Sequence, residues 1–425
     1  MSEVPDKAQK PESVAGWLGL NRAMVAVLIA IAGLGLSEEV WRSFLGVQLY
    51  KKGDLDGLLY MAIYALLVNF LEGFGYIIGG TVAHKMGPRV ALAVSAGSMA
   101  LGFAGMLAYP HPWMLVAGSL LMTNWEPLSV PATFEIVGAE VPKNRRTIAF
   151  AVASIQKRLP KAIGPLIGGF AFVAAGYRLN LGLGFFFLIV SVICQWSLLG
   201  RMKPKADPAP VPLRQVLREM PPELRRLLSA EIILRWGEWF IRDFAVIYVV
   251  FHLYQSADAA DKAGALASLS SWVALLMYIP MGKIIDASSS PKPYIGLTFF
   301  LFAAFPFCLV LLPKVPGLPL TAALVIAFIV NGLREMGEPA RKAMIASGFP
   351  PEIRARAIGL YWGLRSFAFF PAPIVAYVLW RNFGPDTTFL IGGSIGMLGT
   401  LWYWLRVGLV FNAETPSAQS AQRKN

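Results

Sequence analysis

Glu38 and Arg42 stand four residues apart inside a long apolar run, and Glu238 and Arg242 repeat that spacing in a second run later in the chain. Four residues is about one helical turn, so carboxylate and guanidinium share a helix face, and Arg235, three before Glu238, joins the second stripe. The chemistry open to such groups is narrow. A buried carboxylate beside a cation can exchange its partner for a proton, and an arginine can hold an anionic group through charge-assisted bonds. Other ionisable residues also sit within apolar runs: Glu39, Glu72, Glu126, Glu135, Lys157, Arg158, Lys161, Asp243, Arg334, Glu335, Glu338, Arg341, Lys342 and Arg365.

The elements that must position them are membrane-spanning helices. Of 425 residues, 56% are hydrophobic and 15% charged, where soluble chains carry about a quarter charged. Apolar runs of about twenty residues, the length that crosses roughly 30 Å of hydrocarbon, recur along nearly the whole chain. Read against Gly/Pro punctuation, they predict an all-α membrane protein of twelve spans. Six lie at residues 23–49, 57–82, 90–109, 113–137, 147–174 and 179–199, and six at 227–254, 263–285, 293–312, 320–347, 357–379 and 388–410. The corresponding domains are a cytoplasmic tail over 1–21, a six-helix bundle over 22–200, a cytoplasmic linker over 201–226, a second bundle over 227–411 and a disordered tail over 412–425. In the linker, Leu213, Val216, Leu217 and Met220 recur at helical spacing beside Arg214 and Arg218, the pattern of a short helix on the membrane surface; a disordered linker is the alternative.

The two sets of spans repeat. Glu38, Arg42 and Phe44 match Glu238, Arg242 and Phe244 at one offset, while Pro131, Pro142, Arg146, Lys157 and Pro165 match Pro339, Pro350, Arg354, Arg365 and Pro373 at another. The fold expected is therefore two pseudo-symmetric six-helix bundles, with a solute site where they meet near the midplane.

The third, sixth and ninth spans carry no ionisable residue, and the twelfth only Arg406 near its end. Each charge facing lipid near the midplane costs about 2.5–3.5 kcal/mol, so more than a dozen would cost on the order of 40 kcal/mol, several times the stability of a typical fold. The charges must face inward, with every third helix left as lipid-facing packing. Acidic and basic residues are nearly balanced, so any one of them can serve simply to neutralise another, but so many buried charges are a poor way to gain stability when apolar residues pack as well.

The net charge of +13 follows from topology rather than nucleic-acid binding: with both termini cytoplasmic, most Lys and Arg fall on the cytoplasmic side. The first twenty residues lack an apolar signal core, so the first helix reads as an uncleaved anchor in an inner or plasma membrane. Cys194 and Cys308 fall within apolar runs and imply neither disulfide nor metal. His84, His111 and His252 are scattered, without zinc spacing, and no nucleophile elbow or phosphate loop is present. Neither an enzyme nor a cofactor is expected.

The segment GGTVAHKMGPRV after the second span resembles the loop motif of the major facilitator superfamily, with Gly80, Val82, Ala83, Lys85, Gly87 and Arg89 in matching places. PMGKIIDASSSPKP, after the eighth, keeps Gly282 and Asp286 at the same spacing, and Gly164, Pro165, Gly168 and Gly169 are similar to the end of the motif of that superfamily's antiporters. The resemblance spans Arg22 to about Phe411. It implies a secondary transporter working by alternating access, with Gly80, His84, Lys85, Gly87, Arg89, Gly282, Asp286, Gly164 and Pro165 in the conformational clamp. His84 stands where the family has an acidic residue, which makes Asp286 the better clamp candidate and gives the first copy a group that titrates near neutrality. The fourth span has Asn124, Trp125 and Glu126 where many proton-coupled drug antiporters carry arginine, and Pro160 replaces a motif glycine; both departures speak against drug export.

The expectation is a solute transporter, monomeric and proton-coupled through Glu38, Glu238, Glu335 or Glu72. The paired Arg42 and Arg242, resembling those of organic-anion carriers, would bind an organic anion or zwitterion together with Glu126, Arg334 and the second symmetric pair, Lys157 and Arg365. The alternatives are a proton antiporter of hydrophobic compounds and a transporter-like sensor without net transport.

Overall fold

A computed structural model describes residues 22–86, 88–122, 146–198, 213–288, 290–349 and 354–408. Their regular secondary structure is helical throughout: α1 (Arg22–Gly53), α2 (Leu55–Met86), α3 (Pro88–Ala108), α4 (Pro112–Met122), α5 (Arg146–Ala175), α6 (Tyr177–Leu198), α7 (Leu213–Glu219), α8 (Pro222–Trp239), α9 (Ala245–Ile247), α10 (Ala260–Asp286), α11 (Lys292–Leu311), α12 (Leu320–Leu333), α13 (Glu338–Ser347), α14 (Arg354–Phe369) and α15 (Ala372–Tyr403). A π-helical turn, Tyr248–Leu253, continues α9.

Six segments among the described residues are long and apolar enough to cross a membrane: Leu55–Tyr76, Tyr177–Trp196, Ala257–Ile285, Lys292–Lys314, Leu320–Lys342 and Ala357–Gly408. The last, 52 residues long, would measure about 78 Å as a straight rod, far more than one crossing. It bends at Gly384, whose φ of 81° and ψ of 168° lie in a region open almost only to glycine. The loop expected over 380–387 is thus replaced by this sharp kink. Similarly, the loop expected after the second span is nearly all helix, since α2 runs through Met86 and α3 begins at Pro88.

Three spans expected to be continuous are interrupted, two of them where their charges sit. The span 320–347 is divided at 334–337, where the amides of Glu335, Met336 and Glu338 bond to carbonyls three residues back. Pro339 is the cause: it has no N–H and its ring would strike the carbonyl of residue 335 in a regular helix. The freed Gly337 N–H donates to Thr298 Oγ1 at 2.8 Å, so the break leaves that donor satisfied in an apolar setting. The span 227–254 is likewise broken over 240–244, between α8 and α9. Pro371 and Pro373 part α14 from α15 in the same way.

Within residues 22–198, α1 packs on α5 and α6, and α3 on α4; within 222–408, α8 packs on α14 and α15, and α11 on α12. Two large crossings join the sets, α5 on α10 and α2 on α14 and α15, and α9 also packs on α1. At the first, Gly264 meets the Pro165 carbonyl. At the second, Phe74 meets Phe367 at 4.9 Å and Tyr76 meets Trp362 at 5.5 Å. At the end where α1 finishes, Tyr50 lies 4.8 Å from Phe251 of the π turn. Large apolar side chains turn outward on α3 (Val94, Leu101), α6 (Phe186, Ile193, Trp196) and α11 (Leu297, Phe300), the surface that helices without charges can offer to lipid.

Candidate functional site

The charged residues converge on the two broken helices and on α1 and α5. In α1, Arg42 donates to Glu38 at 2.6 Å, one turn apart, as the spacing predicts. Tyr64 of α2, Glu39 and Asp243 add to the field at Arg42. The second copy of the pattern is wired differently. Glu238 accepts from Arg235 one turn earlier and pairs with Arg334 across α12 at 3.4 Å. Arg242 is exposed, lies over the Trp239 ring at 4.4 Å, and has no carboxylate within ion-pair distance among the described residues.

Beneath this lies a buried network that links α8, α13 and α14. Glu231, 1% exposed, accepts from Arg341 and faces Arg365 at 3.6 Å. Arg341 also reaches Glu338 through two bonds, at 2.6 and 2.9 Å, and Arg235 lies 3.8 Å from Glu338. Phe302 of α11 packs between two guanidiniums, with Arg235 at 4.9 Å and Arg334 at 4.3 Å from its centroid; the negative ring face offsets the repulsion between like charges. Most of these cations are satisfied, but Arg334 Nε and Arg365 Nε are buried without an acceptor among the described residues.

Among the described residues one ion pair spans the two sets: Arg158 of α5 donates to Glu335 at 2.6 Å. Tyr278 of α10 donates to the same carboxylate at 3.4 Å, and its ring lies 5.4 Å from the Arg158 guanidinium.

The structure therefore brings Glu38 with Arg42, Glu238 with Arg334, and Arg365 into the same charged interior, and places Glu335 on Arg158. Glu72 stands on α2 within electrostatic reach of Tyr64. Gly164 lies against Glu39, Pro165 faces Gly264, and Gly282 borders open space on α10. Gly80, His84, Lys85, Arg89, Lys157 and Asp286 are on helices, but their side chains lie outside the described residues, as do Glu126 and Gly87 altogether.

Glu231, Arg158, Glu338 and Arg341 had no role assigned from sequence. For Glu231 the signal was present, since Glu231, Arg235 and Glu238 follow helical spacing along one stripe. For Arg158 there was none, because its partner is 177 residues away. A separate cavity of about 630 Å³ lies near the Gly384 kink, lined by Tyr248, His252, Lys314 and Asp386 among others. There Asp386 accepts from Tyr248 and from Lys314, each at 2.6 Å.

Helices throughout the described residues, with paired charges inside broken membrane helices, are the architecture of a membrane transporter. A family model for the Major Facilitator Superfamily matches residues 19–258 and 240–425, and the chain belongs to that superfamily. It is a transport protein and not an enzyme. It is 22% identical over 409 residues to Multidrug resistance protein MdtG of Dickeya zeae (strain Ech586), covering 94% of this chain and 95% of that one. It is 25% identical over 225 residues to Enterobactin exporter EntS of Shigella flexneri, covering 51% and 50%. Among solved structures, the peptide transporter POT in complex with sulfate shares the fold with a TM-score of 0.72 at 15% identity, covering 92% of this chain and 94% of that one.

Proposed function

We propose that the protein is a proton-coupled secondary transporter of an organic anion or zwitterion, built as twelve spans in two pseudo-symmetric bundles with both termini cytoplasmic. The observation that carries the solute class is the set of cationic donors left over after internal pairing: Arg242, exposed and without a carboxylate partner among the described residues, and the unfilled Nε donors of Arg334 and Arg365. A buried donor without an acceptor costs about 1–3 kcal/mol, a cost that a carboxylate or phosphate group on a solute would relieve.

Packing supports the two-bundle reading. Phe44 stacks on Phe172 of α5 at 5.9 Å, and its repeat partner Phe244 meets Trp380 at 5.9 Å. Phe172 and Trp380 stand in the same register as Pro165 and Pro373. The two crossings, α5 on α10 and α14 on α2, also exchange under this relation. Alternating access would rock one bundle against the other, with Arg158–Glu335 forming and breaking at one end and Tyr50–Phe251 at the other.

The test is purified protein in liposomes, screened with an organic-anion panel for solute-dependent proton flux. Flux is expected with anionic or zwitterionic solutes and is lost in Arg42→Gln and Arg242→Gln. Flux with hydrophobic cations alone would overturn the solute class and favour a second reading, export of hydrophobic compounds, which the similarity to the multidrug resistance protein supports.

A further inference from the structure

Glu39 follows Glu38 in sequence but lies about 100° further round the helix, and its surroundings are different. Glu38 has taken Arg42 as its partner at 2.6 Å. Glu39 is turned toward α5, where Gly164 packs on its side chain so closely that a Cβ there would stand 2.5 Å from that of Glu39. It is 8% exposed, and among the described residues no cation comes within ion-pair distance of its carboxyl and no hydrogen bond reaches it. The charges that act on it are Lys161 of α5, Glu38 and Arg42 of its own helix, and Arg242 from the second set. Elsewhere around α1, α2 presents Tyr64 and the turn before α9 presents Asp243 to Arg42, and α6 presents Asn180, which donates to the Val40 carbonyl at 2.9 Å.

A carboxyl removed from water without a contact partner is held most cheaply as the neutral acid. Lys161 opposes this from a distance, so a small change in how α5 crosses α1 alters the balance. The crossing is made by Gly164 and Pro165, where the helix loses one backbone donor and has no Cβ to resist sliding. We propose that Glu39, poised against Lys161, is the group that carries the coupling proton. On the side open to water the carboxylate takes one proton from solvent and becomes a neutral acid. On the other side it returns that proton to solvent as Lys161 approaches, so each cycle moves one proton and leaves both residues as they began. Glu38, fixed on Arg42, serves the structure of the site.

This rests on the transporter reading, but its test needs no solute. The purified full chain is treated with dicyclohexylcarbodiimide, which modifies protonated carboxyls in apolar surroundings, across a pH series, and the modified residues are located by peptide mass spectrometry. Glu39 is expected to be modified, decreasingly as pH rises, with Glu38 unmodified. Lys161→Gln should move the half-modification point upward, since an opposing cation has been removed, and Lys161→Arg should leave it in place. Modification of Glu38 in place of Glu39, no modification of either, or a midpoint indifferent to Lys161→Gln would each overturn the assignment. Liposomes that carry no solute while Glu39 is modified as expected would count against transport alone.

Discussion

Arg158 and Glu335, 177 residues apart, form an ion pair at 2.6 Å that joins α5 to the tightened turn between α12 and α13. The pair is part-buried, with side chains 24% and 15% exposed, so it lies between the surface pairs that contribute almost nothing and the buried pairs whose rupture is severe. It also takes its two members from sets of helices that the transport cycle would separate.

Arg158→Gln is expected to lower the stability of the closed arrangement by about 1–3 kcal/mol. A cysteine placed at Tyr278 should then react faster with a water-soluble maleimide. The charge swap Arg158→Glu with Glu335→Arg should return reactivity toward the wild-type rate; an unchanged rate in the single variant would show that the pair does not hold this end shut.

The network beneath it has a different use. Glu231 is the only carboxylate given to Arg365 among the described residues and one of two on Arg341. Glu231→Gln strands buried charge and should cost about 3–5 kcal/mol in thermal unfolding of the detergent-solubilised protein. Replacing both partners, Glu231→Leu with Arg341→Met, should cost less than the single change, because no lone charge remains on that bond.

Helix crossings give a third prediction. A Cβ on Gly237 would collide with backbone of α15 at Gly392 and Gly396, whereas Gly97 on α3 borders open space. Gly237→Ala should therefore destabilise by about 1–3 kcal/mol or more. Gly97→Ala, which only removes backbone freedom from a helix interior, should stabilise by about 0.5–1 kcal/mol. Paired melting curves decide the point.

At the kink, Gly384→Ala should lose about 1–3 kcal/mol because the backbone angles there exclude a side chain. Asp386→Asn should loosen the same turn by removing the charged acceptor that Tyr248 and Lys314 share, without affecting the Glu231 network. Faster amide exchange confined to residues 380–390 is the expected readout, and protection there unchanged in both variants would contradict it.

Much of this was readable from residue types. Prolonged apolar runs, interior charges and the repeat of Glu38, Arg42 and Phe44 two hundred positions on required a membrane protein with inward-facing ionic groups, since hydrocarbon penalises each charge heavily. The Glu38–Arg42 bond follows from helical spacing alone. Its repeat pairs differently: the same spacing to Arg242 exists, yet Glu238 takes Arg235, from its own stripe, and Arg334, far along the chain. Local geometry permits both, and the choice falls to whichever cation a neighbouring helix delivers.

Sequence by itself determined the class of protein, the positions of the charges along each helix, and the proline that interrupts the span at 334–337. Those depend on hydropathy, on the 3.6-residue period and on the missing N–H, all local properties of the chain. Tertiary structure decided which charges meet across helices, and hence which are left over among the described residues: Arg242 without a carboxylate, Glu39 without a cation in contact, Arg158 committed to a turn far along the chain. Coulomb energy in a low-dielectric interior depends on separation through space, and separations between helices are set by packing that no spacing within a single helix encodes.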